Sequence, residues 1–132
     1  MTPLVRSVAL LACSNVFMTF AWYAHLKNLS TRAWYVAAMP HEIDDKPLGR
    51  KICGEPIVFF RGPDGAVAAV EDFCPHRGAP LSLGRVIEGK LVCGYHGLEM
   101  GCDGKVVAMP GQRVRGFPPI KAYPSVEKYG FV

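Results

Sequence analysis

Four side chains of metal-binding type lie in two short motifs, and this pattern constrains the fold of the 132-residue chain more than any other feature. The first motif contains Cys74 and His76, and the second contains Cys93 and His96, which gives the pattern C-x-H-x16-C-x-x-H. Thiolates and imidazoles are the ligands of zinc and iron sites. A fold that uses this pattern must bring two loops together, each with one cysteine and one histidine.

The spacing within the motifs distinguishes two kinds of metal site. Structural zinc ligands usually lie about two to four residues apart, whereas a single residue separates Cys74 from His76. In a Rieske [2Fe–2S] centre two cysteines bind one iron and two histidines bind the other, so each of two facing loops supplies one ligand to each iron. The pattern therefore predicts a Rieske cluster, with Cys74 and Cys93 on one iron and His76 and His96 on the other. Zinc is the alternative.

Glycines lie beside both motifs, at positions 78, 94 and 97. A residue without a side chain lets the backbone approach a cluster closely, and we expect peptide N–H groups of these loops to point at sulfur. Two neutral imidazoles in place of two thiolates leave the cluster less negative and raise its reduction potential. The predicted chemistry is electron transfer.

The other cysteines and histidines have no metal-ligand spacing. Cys13 lies in an apolar segment, Cys53 in a predicted early strand and Cys102 beside a predicted turn, and we expect all three to be unpaired and packed. His25 and His41 are expected at the surface. None of these five residues is predicted to be a ligand.

Composition divides the chain near residue 32. Residues 33–132 contain all 14 glycines and 10 of the 11 prolines, together with 12 basic and 11 acidic residues. Such balanced charge lacks the basic excess of nucleic-acid-binding domains. Turn-rich composition predicts a mainly β domain at 34–132, a small antiparallel sandwich or barrel. The strand-like runs are 34–38, 57–61, 66–70, 90–93, 105–107 and 123–127. Turns are predicted at 62–65, 88–89 and 103–104. A proline-rich loop at 109–119 is expected to shield the cluster.

The first 29 residues predict one apolar helix, joined to the β domain by a junction at 30–33. Residues 7–24 form an uncharged run of 18 residues, 14 of them apolar, which is about the length that spans a bilayer. More basic residues follow this run than precede it, which favours a β domain on the cytoplasmic face of the membrane. A cleaved signal peptide and a buried helix of a soluble cytoplasmic protein are the alternatives.

Most of the β domain resembles a known family. The segments A-W-Y-V-A, D-K-P-L-G-R, E-D-F-C-P-H-R-G-A-P-L-S-L-G and C-G-Y-H-G-L-E-M-G-C resemble the Rieske non-haem iron oxygenases that act on aromatic compounds, in particular their O-demethylating members. The resemblance implies that Cys74, His76, Cys93 and His96 bind the cluster. It also implies electron delivery by an NADH- or NADPH-dependent reductase that contains flavin and an iron–sulfur centre.

Two positions separate this chain from the Rieske proteins of cytochrome complexes. Those proteins carry one further cysteine in each cluster loop, and the two form a disulfide. Ala79 and Tyr95 stand at the matching positions here. The resemblance therefore implies the oxygenase and ferredoxin branch, in a reducing compartment where structural disulfides are rare.

The oxygenase family also has a mononuclear iron site, with two histidines and one carboxylate, in a C-terminal catalytic domain. Nothing between 34 and 132 carries over to that site, so we expect the chain alone to transfer electrons without catalysis and to end as if truncated at Val132. Oligomerisation would require the catalytic domain. Two alternatives stay open: a membrane-tethered Rieske ferredoxin and a truncated fusion without a selected function.

A second resemblance concerns the apolar segment. Residues 13–29, C-S-N-V-F-M-T-F-A-W-Y-A-H-L-K-N-L, resemble the first helix of a small bacterial membrane-protein family that is similar to drug/metabolite transporters. The further helices of such a protein do not follow Leu29, so no transport function is implied. The two resemblances meet near residues 30–32, which indicates a fusion.

Overall fold

The computed structural model describes residues 34–114 and 116–132. Val36–Val132 form one compact unit. The apolar helix predicted at 7–24 lies outside the described residues. In the part of the chain that is described, no helix is long and apolar enough to cross a membrane.

Eight short strands form two antiparallel sheets, which confirms the predicted mainly β class. The strands are β1 (Leu48–Ile52), β2 (Glu55–Arg61), β3 (Val67–Glu71), β4 (Arg85–Ile87), β5 (Lys90–Val92), β6 (Glu99–Met100), β7 (Val106–Ala108) and β8 (Ala122–Tyr123). The first sheet has the order β1-β2-β3-β8 and the second has the order β4-β5-β6-β7. Two single 3-10 turns, Pro40–Glu42 and Leu81–Leu83, complete the regular structure.

Strand β2 organises the packing because both of its faces are buried. Val58 and Phe60 belong to a core cluster between the sheets, together with Leu91 of β5. Ile57 and Phe59 point to the other face and pack in a second cluster with Val132. Successive side chains of a strand alternate between faces, so the apolar run of β2 supports two cores at once.

The predicted strand at 34–38 is wrong, and the reason lies at the other end of the chain. The amide of Ala37 donates to the carbonyl of Val132 (2.7 Å), and the amide of Val132 donates to the carbonyl of Ala38 (3.0 Å). These bonds hold the segment against the C-terminal residues, outside both sheets. Strands β1, β4 and β6 were not predicted because they are short or rich in polar residues, and the predicted strand at 123–127 is shortened to β8.

Cys53 lies in a turn, which corrects its prediction as a strand residue. Cys53 and Gly54 connect β1 to β2 with φ values of 51° and 87°, the backbone that a two-residue hairpin turn of type I′ requires. The predicted turn at Glu88 and Gly89 has the same form, with φ values of 50° and 72°. A Cβ atom on Gly89 would lie 2.1 Å from the nitrogen of Pro63, so this turn packs closely on the turn between β2 and β3.

Arg61, at the end of β2, joins three separate segments of the chain. Its guanidinium donates to the carbonyls of Pro40, Ile43 and Gly65, each at 3.0 Å. The same group forms an ion pair with Glu127 at 2.8 Å. The planar guanidinium has five donors in a fixed arrangement. Arg61 therefore fastens residues 40–43 and the C-terminal segment around Glu127 to the first sheet.

We expect Arg61→Lys to lower the free energy of unfolding by about 2 kcal/mol, because an ammonium group cannot reproduce donors that reach three carbonyls. Arg50→Lys is the matched control, since Arg50 forms one exposed ion pair with Glu42 and should change the stability by less than about 0.5 kcal/mol. Chemical denaturation of the full chain measures both. Equal losses for the two variants would contradict the role given to Arg61.

Candidate iron–sulfur site

Two loops of matching construction carry the predicted ligands. The first loop follows β3, and the second connects β5 to β6. In each loop the cysteine amide donates to the carbonyl five residues later, and the amide four residues later donates back to the cysteine carbonyl. These distances are 2.9 and 2.8 Å in the first loop (Cys74, Ala79, Gly78) and 2.8 and 3.0 Å in the second (Cys93, Leu98, Gly97).

The two loops differ in where the histidine stands. Counted from the cysteine, the third position is His76 in the first loop and Tyr95 in the second. The fourth position is Arg77 in the first loop and His96 in the second. The same backbone therefore presents its imidazole one residue later in the second loop.

Gly78 and Gly97 are required by the backbone, with φ values of 72° and 74°, a region that L side chains rarely adopt. Their amides donate to the carbonyls of Cys74 and Cys93, so the loop N–H groups expected near sulfur are not those of Gly78 and Gly97. The amides that interact with the Cys74 sulfur belong to the loop residues His76 and Arg77. The N–H groups near that sulfur thus come from the residues between cysteine and glycine.

Both cysteines are deeply buried. Cys74 and Cys93 are each 2% exposed and belong to the core cluster between the sheets. Burial raises the pKa of the Cys74 thiol, the amide of His76 opposes that rise, and the neighbouring Cys93 thiol adds to it. Because metals bind the thiolate form, metal binding at this pair would release protons.

The two histidines lie side by side at the outer edge of the pair. The ring centroids of His76 and His96 are 4.6 Å apart, with an angle of 65° between the ring planes. The Nδ1 atom of His76 is buried and has no hydrogen-bond partner. An unpartnered buried nitrogen costs free energy, and coordination to a metal would satisfy it. His96 is exposed.

The donor set fits a Rieske-type cluster. Two thiols in contact lie in the core, and two imidazoles in contact lie toward solvent, one of them with a free ring nitrogen. A two-iron cluster with a sulfur-bound and a nitrogen-bound iron needs two such pairs. Among residues 34–114 and 116–132, no group of three or more His, Cys, Asp or Glu side chains is arranged around a single metal position.

Comparison with known proteins defines the class. A sequence model of the Rieske [2Fe–2S] domain matches residues 33–124. The chain therefore belongs to the Rieske [2Fe–2S] domain family, and its cofactor is a Rieske-type cluster that transfers electrons. The predicted family and cofactor are confirmed, and zinc is set aside.

Relatives of this chain within the class include oxygenase components of multicomponent systems. The chain is 75% identical over 100 residues to a vanillate O-demethylase oxygenase subunit of Pseudomonas sp. (strain HR199 / DSM 7063), covering 76% of this chain and 28% of the relative. It is 50% identical over 97 residues to the oxygenase component of dicamba O-demethylase from Stenotrophomonas maltophilia, covering 67% and 29% of the two chains. A crystal structure of dicamba monooxygenase superimposes with a TM-score of 0.68 and 46% identity, covering 75% of this chain and 32% of that one.

These comparisons cover only part of each relative. The chain spans about a third or less of the length of the relatives it matches. A second sequence model, described as a putative member of the DMT superfamily, matches residues 7–43. The two matches overlap at residues 33–43, so the overlap begins at the last residue of the predicted junction at 30–33.

Three contacts near the histidines were not predicted from the sequence. The ring of Tyr95 lies 3.9 Å from that of His96, and the ring of Phe117 lies 5.9 Å from that of His76. A Cβ atom on Gly97 would lie 3.0 Å from Pro110. The proline-rich stretch is thus a loop beside the site, as predicted. The proline-rich composition of this stretch indicated a loop near the site, but it did not indicate that Phe117 contacts His76.

Among the described residues, the remaining sequence candidates lie outside both cluster loops. His41 is exposed in the turn Pro40–Glu42, as expected. Cys53 and Cys102 are free and exposed, so the expectation that they are packed is wrong. Cys13 and His25 lie outside the described residues.

We expect Gly84→Ala to push the start of the second loop away from the segment that links the first loop to β4. A Cβ atom at Gly84 would lie 2.1 Å from the carbonyl oxygen of Val92, the residue before Cys93, although the φ of −88° permits a side chain. Forcing an atom into such a contact should cost about 3 kcal/mol and lower the cluster content. Iron analysis and chemical denaturation measure the two effects.

Gly65→Ala is the matched control for Gly84→Ala. Gly65 has open space around its added Cβ atom and a φ of 79°, so the substitution carries only the backbone penalty of about 1 kcal/mol. It should leave the cluster content unchanged. Equal losses of iron in both variants would contradict a specific contact between the loops at Gly84.

Proposed function

We propose that this chain is the electron-transfer domain of an aromatic O-demethylating monooxygenase system. The observation that carries the proposal is the pairing of two facing loops, with the thiols of Cys74 and Cys93 in contact inside the core and the imidazoles of His76 and His96 in contact at the edge. The 75% identity to a vanillate O-demethylase oxygenase subunit supports methoxylated aromatic compounds as the substrate class of the system.

In this proposal Cys74 and Cys93 bind one iron, and His76 and His96 bind the other. The buried, unpartnered Nδ1 atom of His76 supports its role as a ligand. The N–H groups of His76 and Arg77 near the Cys74 sulfur support its thiolate form. When bound, the cluster stores and passes on one electron at a time.

The burial of the four residues sets the direction from which electrons arrive. Both cysteines lie in the hydrophobic core, whereas His96 reaches the surface and His76 is half-buried. The core residues exclude water from the sulfur side. Electrons therefore enter and leave on the histidine side, where a partner can approach.

The electron donor in this proposal is a reductase that uses NADH or NADPH and carries flavin and an iron–sulfur centre. The name "oxygenase component" of the dicamba relative supports a system of more than one protein. The acceptor is a mononuclear iron that activates O2, in a catalytic domain outside residues 34–132. Any oligomer depends on that domain.

His96→Ala and Cys93→Ser should each abolish the Rieske signal in electron paramagnetic resonance, because each removes one of four iron ligands. The wild-type chain, purified anaerobically and reduced with dithionite, should show that signal, with about two irons and two acid-labile sulfides per chain. His41→Ala and Cys102→Ser are the matched controls, since both residues are exposed and neither belongs to a cluster loop. Both variants should keep the wild-type spectrum. A Rieske signal that survives His96→Ala would contradict the ligand assignment.

We further propose that residues 7–24 attach the chain to the membrane, with the Rieske domain on the cytoplasmic face. The uncharged run of 18 residues and the match of residues 7–43 to a putative DMT superfamily model support this. The chain should stay in the membrane fraction after carbonate extraction, and Val16→Arg with Phe17→Arg should release it, because charges in an apolar segment oppose insertion. Extraction of the wild-type chain by carbonate would contradict the anchor.

A further inference from the structure

Four rings form a continuous row across the histidine side of the site. Tyr95 lies on His96 with 3.9 Å between ring centroids and 32° between ring planes. His96 lies 4.6 Å from His76, and His76 meets Phe117 edge-on at 5.9 Å. Each imidazole therefore has the other imidazole as one neighbour and an aromatic side chain as a second neighbour.

The two outer rings are held in different ways. Phe117 is half-buried and packs against the core cluster. Tyr95 is 64% exposed, and its hydroxyl makes no hydrogen bond to residues 34–114 or 116–132. Little of the Tyr95 ring is covered by the core, so the stack on His96 is the contact that places it.

The matching loop backbones show why Tyr95 can take this place. The third position of each loop holds a ring that contacts His96: His76 in the first loop and Tyr95 in the second. His96 thus contacts two rings from equivalent positions. A small residue at position 95 would leave one side of this imidazole open to water.

We propose that Tyr95 is a positioning residue, which fixes the orientation of the His96 imidazole and shields the histidine-bound iron from water. This inference rests on the ligand assignment proposed above. Offset ring pairs contribute about 0.5–1.5 kcal/mol beyond the area that they bury. That contribution favours the imidazole orientation in which both neighbouring rings are in contact.

The shielding predicts the direction of a change in potential. Two ferric ions, two sulfides and two thiolates have no net charge, and one added electron makes the reduced cluster negative. Water stabilises the charged form more than the neutral form, and solvent exposure is one of the factors that set the potential. Removing the Tyr95 ring should therefore raise the reduction potential and expose the iron to chelators.

Tyr95→Ala should raise the midpoint potential in a redox titration followed by electron paramagnetic resonance, and it should shift the g values. It should also speed the release of iron to excess chelator by about two- to tenfold, the factor that corresponds to the free energy of one ring pair. Tyr95→Phe keeps the ring and should match the wild type in all three measurements. Tyr129→Ala, a change at another exposed tyrosine (86%), is the matched control and should also match the wild type.

Three results separate the possibilities. A wild-type Rieske signal with unchanged potential, g values and iron release in Tyr95→Ala overturns this inference and leaves the proposed function standing. The absence of a Rieske signal from the wild-type chain overturns both. If Tyr95→Ala does not retain a cluster, Tyr95→Leu is measured instead, because leucine keeps apolar bulk without the ring that stacks on His96. The reduction potential of Tyr95→Leu should lie above that of Tyr95→Phe. Equal potentials would overturn the inference.

Discussion

The close approach of two loop backbones is the constraint on which the rest of the structure depends. Gly84 leaves room for the carbonyl of Val92, and Gly94 leaves room for the carbonyl of Leu83. These contacts place the start of the second loop against the turn Leu81–Leu83, which follows the first loop. Because the cysteines begin matching loops on the same core cluster, the approach of the backbones brings the two thiols together.

The chemistry of the site follows from a difference of one residue between two otherwise matching loops. The shared hydrogen bonds place both cysteines in the core, which gives the site a dry sulfur side. The histidines stand at the third and fourth positions, and their rings meet at the surface, where Tyr95 and Phe117 flank them. The result is a buried pair of thiols beside a more exposed pair of imidazoles.

The ligand motifs and the family could be predicted because they depend on local spacing and on residue types with few roles. The turns at 62–65, 88–89 and 103–104 were predicted for a similar reason, since glycine, proline and aspartate favour turns through their own backbone preferences. Strand β1 was missed because its sequence, Leu-Gly-Arg-Lys-Ile, has little apolar alternation, and its pairing with β2 is what makes it a strand. Residues 34–38 look like a strand, but their partner is Val132, almost a hundred residues away.

The sequence by itself determined the cluster type, the family and the need for glycine at positions 78 and 97, because ligand identity and a left-handed backbone are properties of single residues and their immediate neighbours. The tertiary structure decided which side of the site is buried and which aromatic rings flank the imidazoles. It also decided which N–H groups approach the Cys74 sulfur: those of His76 and Arg77, since the glycine amides bond to carbonyls. The burial of the cysteines and the ring contacts of His76 with His96 and Phe117 arise from segments far apart in the chain. The N–H groups near Cys74 depend on the local backbone of its loop. Periodicity and composition carry no record of such contacts, since they describe neighbours along the chain and the contacts form only when the sheets pack.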